Sequence, residues 1–123
     1  MAAQLDRIGQ ADEIEIAQAA AGGRPGRRVT IWVVPHGGRL YVRSWRGTGA
    51  AWYRAVKRPG RATVWAAGFE ARVRLQEPSA NVESGVDAAF RSKYRRAGAE
   101  YVEAMVSEPA RSTTLELLPE AGA

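Results

Sequence analysis

The chain has 123 residues, of which 46% are hydrophobic and 25% charged, the size and composition of one globular domain. It lacks cysteine and has one histidine, so disulfides, cysteine nucleophiles and metal sites built from cysteine or several histidines are excluded. No apolar run approaches the roughly 18 residues of a membrane-spanning helix, and the first residues do not resemble a secretion signal, so we expect a cytoplasmic protein without membrane contact.

Positive charge is concentrated in the middle of the sequence. The net charge is +5, yet residues 16–69 carry ten arginines or lysines and no acid, whereas acids outnumber bases in residues 1–15 and 70–123. This distribution favours an anionic partner, for example a phosphate, a polycarboxylate or a nucleic-acid backbone. A GC-rich genome also enriches arginine and alanine, which would explain the net charge but not the long stretch without acids.

The first third of the chain predicts one short helix followed by strands. Residues 3–9 are predicted to be helical, and the period-two alternation of residues 13–16 predicts a short strand. Residues 19–26 are rich in alanine and glycine and predict a connector. Residues 29–34 and 39–44 flank a Pro-His-Gly-Gly turn and contain branched and aromatic side chains, which predicts a β-hairpin.

The middle of the chain predicts a helix and a second hairpin. Residues 50–58 are predicted to be helical up to a Pro-Gly stop, with Thr48 as a plausible N-cap. Residues 62–66 and 69–76 alternate in polarity on either side of an Ala-Gly turn, which predicts a hairpin with one apolar face.

The last third predicts two helices and a strand. Residues 81–94 carry apolar side chains at every fourth position, which is typical of an amphipathic helix. A shorter helix is predicted over residues 99–106, with Tyr101 among its packing residues and Pro109 ending it. Residues 113–117 alternate and predict the final strand.

These elements predict a small antiparallel β-barrel of the α+β class. The predicted strands are short and mostly connected by hairpins, and a sheet of this kind removes its edges by closing on itself. We expect a single domain over residues 1–123, with residues 1–10 and 119–123 at its periphery.

The second strand of the first hairpin and the helix after it contain the candidate ligand site. A glycine turn and a helix N-terminus can accept an anion, arginines add charge-assisted hydrogen bonds, and aromatic side chains offer surfaces to a ring. This combination fits a nucleotide-like cofactor; the alternative is an arginine-rich surface turn with Trp52 in the core. The candidate binding residues are Arg43, Ser44, Trp45, Arg46, Gly47, Thr48, Trp52 and Tyr53.

Other patterns are less specific. His36 could carry a proton, but a solvated turn residue is the simpler interpretation, and Tyr94 and Tyr101 either belong to the core or close over a site. Nucleic-acid binding is a third hypothesis, because aromatic and basic residues are interleaved. Only Tyr41 and Arg43 show this alternation clearly within a strand, which makes nucleic acid the least favoured partner.

Several segments resemble the split-barrel superfamily, which includes pyridoxamine-phosphate oxidase-like flavoproteins and deazaflavin-dependent nitroreductases. The C-terminal part is similar, more specifically, to a small bacterial family of unassigned function within it. The resemblance covers roughly residues 5–118. It is carried by residues 30–34, 40–44, 46–47, 51–54, the two strands after Pro59, and residues 87–94, 105–107 and 110–115.

The resemblance implies a six-stranded antiparallel split β-barrel with two or three short helices, often a homodimer, that binds FMN or a deazaflavin coenzyme and can act as an oxidoreductase. Two departures stand out: Gly23–Arg28 replaces the relatives' phosphate loop, and Ala51 replaces a common proline. A cofactor-free protein that binds another small anionic or aromatic molecule is the alternative. In the deazaflavin relatives, the cofactor-holding segment corresponds to Arg43, Ser44, Arg46, Gly47, Thr48, Trp52 and Tyr53.

Overall fold

The computed structural model describes residues 2–19, 26–66, 68–78 and 81–120, and their side chains from residue 5 onwards. Most of the predicted connector therefore lies outside the described residues. Within them the chain forms α1 (Ala2–Gln10), β1 (Ile14–Gln18), β2 (Val29–Ile31), β3 (Val34–His36), β4 (Arg39–Val42), a 3₁₀ helix (Gly47–Gly49), α2 (Ala51–Lys57), β5 (Arg61–Ala66), β6 (Phe69–Gln76), α3 (Glu83–Lys93), α4 (Ala99–Val106), α5 (Glu108–Arg111) and β7 (Leu115–Pro119).

The strands form one antiparallel sheet in the order β2-β1-β5-β6-β7-β4-β3. Its two edge strands, β2 and β3, are neighbours in the chain and are separated only by Trp32 and Val33. The sheet therefore curves until its edges almost meet, which makes an incompletely closed barrel. The α+β class is confirmed, but the described part of the chain has seven strands rather than six.

The extra strand arises because the predicted strand 29–34 is interrupted at Val33. The Val33 N–H donates to the Tyr94 hydroxyl at 3.1 Å, and the Val33 carbonyl accepts from the Lys93 ammonium at 2.6 Å. Side chains of α3 thus occupy the peptide groups that a continuous strand would offer to a neighbouring strand. The β-propensity of the branched side chains correctly predicts extended backbone here, but it contains no information about hydrogen-bond partners some 60 residues away.

The described residues contain five helices rather than the two or three expected for the barrel: α1 to α4 correspond to the helices predicted over residues 3–9, 50–58, 81–94 and 99–106, and α5 is additional. The N-cap prediction for Thr48 is wrong, because Thr48 lies in the 3₁₀ helix and α2 begins after Ala50. Pro109 is predicted to end the helix over residues 99–106, but it lies in the first turn of the next helix, α5. Backbone N–H groups in a first turn have no partner within the helix, so proline is tolerated there. The peripheral position predicted for residues 1–10 is wrong for Ile8, which is fully buried.

Two apolar clusters lie on opposite sides of β4. Leu40 and Val42 face the barrel interior, whereas Tyr41 faces a second cluster beneath α3 and α4. The predicted amphipathic helix is confirmed as α3, since Val86 and Phe90 are fully buried in that second cluster. No helix in the described ranges is long and apolar enough to span a bilayer.

Candidate functional site

A cavity of about 680 Å³ lies where the barrel wall is interrupted, between β2 and the segment that follows β4. Its volume is in the range of small-molecule sites in proteins. Residues 29–32, 43–46 and 49–52 form most of the wall, and Tyr101 and Met105 of α4 complete it. Glu13 and Arg27 lie at the same cavity.

The structure places five of the eight candidate site residues along this cavity: Arg43, Ser44, Trp45, Arg46 and Trp52. The other three, Gly47, Thr48 and Tyr53, do not line it. Tyr53 is 2% exposed and packs in the barrel core, while the Thr48 side chain is exposed to solvent outside the cavity lining. Gly47 has a φ of 74° and backs onto Pro109, whose carbonyl oxygen would lie 3.3 Å from an added Cβ.

The Arg43 side chain is buried and hydrogen-bonded to other segments of the protein, so it does not form an open anion site. Its Nε donates to Thr114 Oγ1 at 2.9 Å, and its Nη1 donates to Asp87 Oδ1 at 2.6 Å and to the Met105 carbonyl at 2.9 Å. Its Nη2 donates to the Glu83 carbonyl at 3.3 Å. Burial lowers the pKa of Arg43, and the Asp87 carboxylate opposes that shift. The guanidinium therefore joins β4 to α3, α4 and the start of β7.

Asp87 connects Arg43 to a second arginine. Its Oδ2 lies 3.2 Å from Nε of Arg111, so one carboxylate on α3 serves two guanidinium groups. Tyr41, the other half of the aromatic–basic alternation, is 2% exposed and Arg43 is 1% exposed. The alternation that suggested nucleic-acid stacking is therefore not on the surface.

Folding neutralises much of the positive middle segment. Five of its ten basic residues form ion pairs, and each partner is an acid from outside residues 16–69. Arg27, Arg46, Arg54 and Arg58 have no carboxylate partner within the part of the chain that the structure describes, and the first two line the cavity. The five pairs are Arg28–Glu15, Arg39–Glu116, Arg43–Asp87, Lys57–Glu77 and Arg61–Glu120.

Aromatic side chains provide the apolar surface of the cavity. Trp32, Trp45, Trp52 and Tyr101 all line it, and Trp45 and Tyr101 are each 56% exposed. The Arg46 guanidinium lies 5.3 Å from the centre of the Trp45 ring. Because these rings lie together at one cavity, they form an apolar patch and not scattered exposed residues, and such a patch favours a ligand with a flat ring.

Ser44 contributes a polar atom with no partner. The residue is 1% exposed and lines the cavity, and its Oγ has no hydrogen-bond partner among the described residues. Its backbone N–H donates to Thr113 Oγ1 at 2.8 Å, so the position of the residue is fixed. Buried hydroxyls are nearly always hydrogen-bonded in folded proteins, so a buried water is expected beside this inaccessible atom.

The candidate binding residues omit Arg27, Trp32 and Tyr101, which line the cavity. Arg27 directly follows the predicted connector, in the Gly23–Arg28 segment that replaces the relatives' phosphate loop, and Trp32 lies inside a predicted strand without a local signal of function. The predicted packing of Tyr101 is wrong, because its side chain is exposed at the cavity. Of the two possibilities left open for tyrosines, Tyr94 belongs to the core and Tyr101 to the cavity.

His36 is neither a solvated turn residue nor part of the cavity. It lies in β3, is half-buried and packs against Gly85 of α3, where an added Cβ would lie 2.3 Å from Nε2. No cluster of three or more histidine, aspartate or glutamate side chains suited to a metal ion occurs among the described residues.

The fold is that of split-barrel proteins, as comparison with solved structures shows. The HutZ heme storage protein of Vibrio cholerae superposes with a TM-score of 0.65 at 13% identity, covering 95% of this chain and 87% of that one. A candidate pyridoxamine 5'-phosphate oxidase from Listeria innocua gives 0.59 at 14% identity, with 96% and 91% coverage. A FAD-binding protein from Mesorhizobium loti gives 0.55 at 16% identity, with 98% and 90% coverage.

The family follows from the sequence itself. Residues 4–117 match the family described as "Uncharacterized protein conserved in bacteria (DUF2255)", and the chain belongs to it. No curated protein matches the chain. The expected resemblance to a small bacterial family with a split-barrel fold is thereby confirmed.

Proposed function

We propose that the cavity binds a planar aromatic ligand with an anionic group, and that this ligand is a flavin or deazaflavin coenzyme. The observation that carries the proposal is the meeting, at one cavity, of four aromatic side chains with Arg27 and Arg46, two arginines that have no carboxylate partner among the described residues. Two proteins of similar fold, one described as FAD-binding and one as a candidate pyridoxamine 5'-phosphate oxidase, support this ligand class.

The residues at the cavity fit such a coenzyme. Arg46 and Arg27 would bind its phosphate through charge-assisted hydrogen bonds. Trp45, Trp52 and Tyr101 would flank the ring. A bound flavin or deazaflavin supplies hydride transfer, which would make the protein a small oxidoreductase. The chain itself binds and orients the coenzyme, and no side chain is assigned as a general acid or base.

Haem fits the cavity less well than a flavin. HutZ, the heme storage protein of similar fold, makes haem a natural comparison. Haem iron needs an axial ligand, for which proteins mainly use histidine, cysteine, methionine or tyrosine. The only histidine, His36, packs on α3 away from the cavity, and the chain has no cysteine. Tyr101 and Met105 remain as donors, whereas a flavin requires no such ligand.

A cofactor-free binding protein is the second candidate. Arg43 is fully engaged within the protein, and Gly47 and Thr48 do not line the cavity, so the phosphate-binding set is smaller than the sequence predicts. A smaller anionic aromatic molecule would satisfy Arg46 and the tryptophans without a coenzyme phosphate.

A thermal-shift titration of the purified protein tests the proposal. FMN, FAD, a deazaflavin coenzyme, riboflavin and hemin are compared, because riboflavin has the flavin ring without the phosphate. A ligand at a hundred times its Kd adds about 2.7 kcal/mol of stability. We expect FMN or the deazaflavin coenzyme to raise Tm and riboflavin to bind more weakly. No shift with any flavin or deazaflavin would reject the coenzyme and leave the second candidate.

Arg46→Ala tests the anion site directly. Since the exposed Arg46 side chain forms no ion pair in the described structure, its removal should leave the Tm of the free protein unchanged but weaken FMN binding about tenfold. Arg54→Ala is the matched control, because Arg54 is also exposed and without an ion pair but lies outside the cavity. Equal FMN affinity in the two variants would remove Arg46 from the site.

A further inference from the structure

The cavity wall contains an aromatic side chain that the protein holds rigidly. Trp32 is half-buried between β2 and β3 and lines the cavity. Its ring is stacked on that of Tyr94, with centroids 3.9 Å apart and planes inclined by 2°. Tyr94 in turn contacts Phe90 in the cluster beneath α3. One face of the indole is therefore covered by a buried ring.

The chain at this point is fixed by hydrogen bonds from α3. The Tyr94 hydroxyl accepts from the Val33 N–H at 3.1 Å and donates to the Asp12 carbonyl at 2.7 Å, with the Val33 carbonyl also within reach at 3.0 Å. Lys93 Nζ donates to the carbonyls of Gly9, Ala11 and Val33, which uses all three of its protons.

Burial strengthens this arrangement. It raises the pKa of Tyr94 to about 12, so the hydroxyl keeps its proton and remains a donor even in mildly alkaline solution. The interruption between the two short strands leaves no backbone polar group of Val33 unpaired, because its N–H bonds Tyr94 and its carbonyl bonds Lys93. Its visible consequence is the fixed position of Trp32 at the cavity.

We propose that Trp32 is the platform on which the aromatic ring of the ligand stacks, and that Tyr94 is the positioning residue that holds it there. This inference rests on the proposed function, since it assigns the ring-binding part of the same cavity. A ligand ring on the cavity side of the indole extends a stack that begins with Tyr94. Because the indole is already immobilised, little conformational entropy is lost on binding.

Fluorine NMR of the protein labelled with 5-fluorotryptophan tests the platform. The four tryptophans give four resonances, each assigned by a Trp→Phe variant, and FMN is the probe. We expect FMN to shift the Trp32 resonance strongly through the ring current of the flavin. The Trp65 resonance should stay in place, since Trp65 lies outside the cavity beneath Arg28.

The outcomes separate this inference from the proposed function. If FMN shifts Trp45 or Trp52 and leaves Trp32 unchanged, the platform assignment is overturned while the coenzyme proposal stands. If neither saturating FMN nor the saturating deazaflavin coenzyme shifts any resonance, both are rejected. A shift at Trp32 supports both.

Tyr94→Phe tests the positioning role, because it keeps the stacked ring and deletes only the hydroxyl. We expect the Trp32 resonance of the free variant to move or broaden and the FMN affinity to fall about fivefold. Tyr41→Phe is the control: Tyr41 is buried in the same cluster, but its ring packs near His36, whereas the Tyr94 ring is stacked on Trp32. A Tyr94→Phe protein with the wild-type Trp32 resonance and FMN affinity would show that Tyr94 does not position Trp32.

Discussion

The role of Arg43 in the structure differs from the role that its sequence context suggests. In the sequence it precedes a glycine turn and resembles an anion-binding arginine. In the structure its side chain is fully buried and its donors reach acceptors on three other segments. A buried guanidinium is tolerated only when it is paired and hydrogen-bonded, which Asp87 and the two carbonyls provide.

Replacing Arg43 should therefore lower the stability of the whole protein and not only its affinity for a ligand. Arg43→Met leaves Asp87 and Thr114 without their donor, and we expect a loss of about 3–5 kcal/mol in the free energy of unfolding, measured by urea denaturation. Arg43→Lys should lose less stability than Arg43→Met but still be less stable than wild type, because an ammonium cannot make the several directed hydrogen bonds of a planar guanidinium. An Arg43→Met protein of wild-type stability that no longer binds FMN would return Arg43 to the anion site.

At the scale of single elements, α3 is the helix on which most of the site depends. It carries Asp87, Lys93 and Phe90, and the adjoining Tyr94, and it also packs against β3 through Gly85. An alanine Cβ at position 85 would lie 2.3 Å from Nε2 and 2.4 Å from Cε1 of His36. The glycine therefore leaves room for the end of the His36 side chain against α3.

Gly85→Ala should be destabilising even though alanine favours helix. Alanine in a helix interior contributes about 1 kcal/mol relative to glycine, but displacing the half-buried His36 ring should cost more, for a net loss of about 1–2 kcal/mol. Thermal unfolding measures the effect, with Ser84→Ala as the exposed control on the same helix. Adding His36→Ala should restore much of the loss. A Gly85→Ala protein more stable than wild type would contradict this account of the packing.

Elements set by local pattern could be predicted, and those set by distant partners could not. The β5–β6 hairpin and the apolar stripe of α3 follow from residue spacing alone, and the structure confirms both. The interruption at Val33 depends on side chains about 60 residues away. For the same reason the site was found only in part: the sequence places Arg43 and Arg46 close together but does not show that one turns inward and the other stays at the surface.

At the scale of the whole molecule, the uneven charge is largely a property of the fold. The acid-free segment pairs five of its cations with acids from both ends of the chain. The pairs with both partners exposed, Arg28–Glu15 and Lys57–Glu77, contribute little to stability, typically below about 1 kcal/mol each, whereas Arg43–Asp87 is buried. The arginines of this segment that have no acidic partner in the described ranges are a better guide to the partner than the net charge, and two of those four lie at the cavity. The expected homodimer and cytoplasmic location stay predictions.

The N-terminal helix should unfold together with the rest of the molecule, although the sequence suggests a peripheral segment. Ile8 is fully buried in the barrel core, and Lys93 of α3 bonds the carbonyls of Gly9 and Ala11. These contacts tie α1 to the barrel and to α3, the helix that also holds Trp32 in place. We therefore expect a single cooperative transition for the whole domain.

Ile8→Ala tests this coupling. It should lower the free energy of unfolding by about 2–4 kcal/mol, because a fully buried isoleucine leaves a cavity in the core. Urea transitions followed by far-UV circular dichroism and by tryptophan fluorescence should shift by the same amount, whereas exposed Gln10→Ala should change stability by less than about 0.5 kcal/mol. If the circular dichroism signal of one helix is lost early while the fluorescence transition keeps its wild-type midpoint, α1 unfolds alone and is peripheral after all.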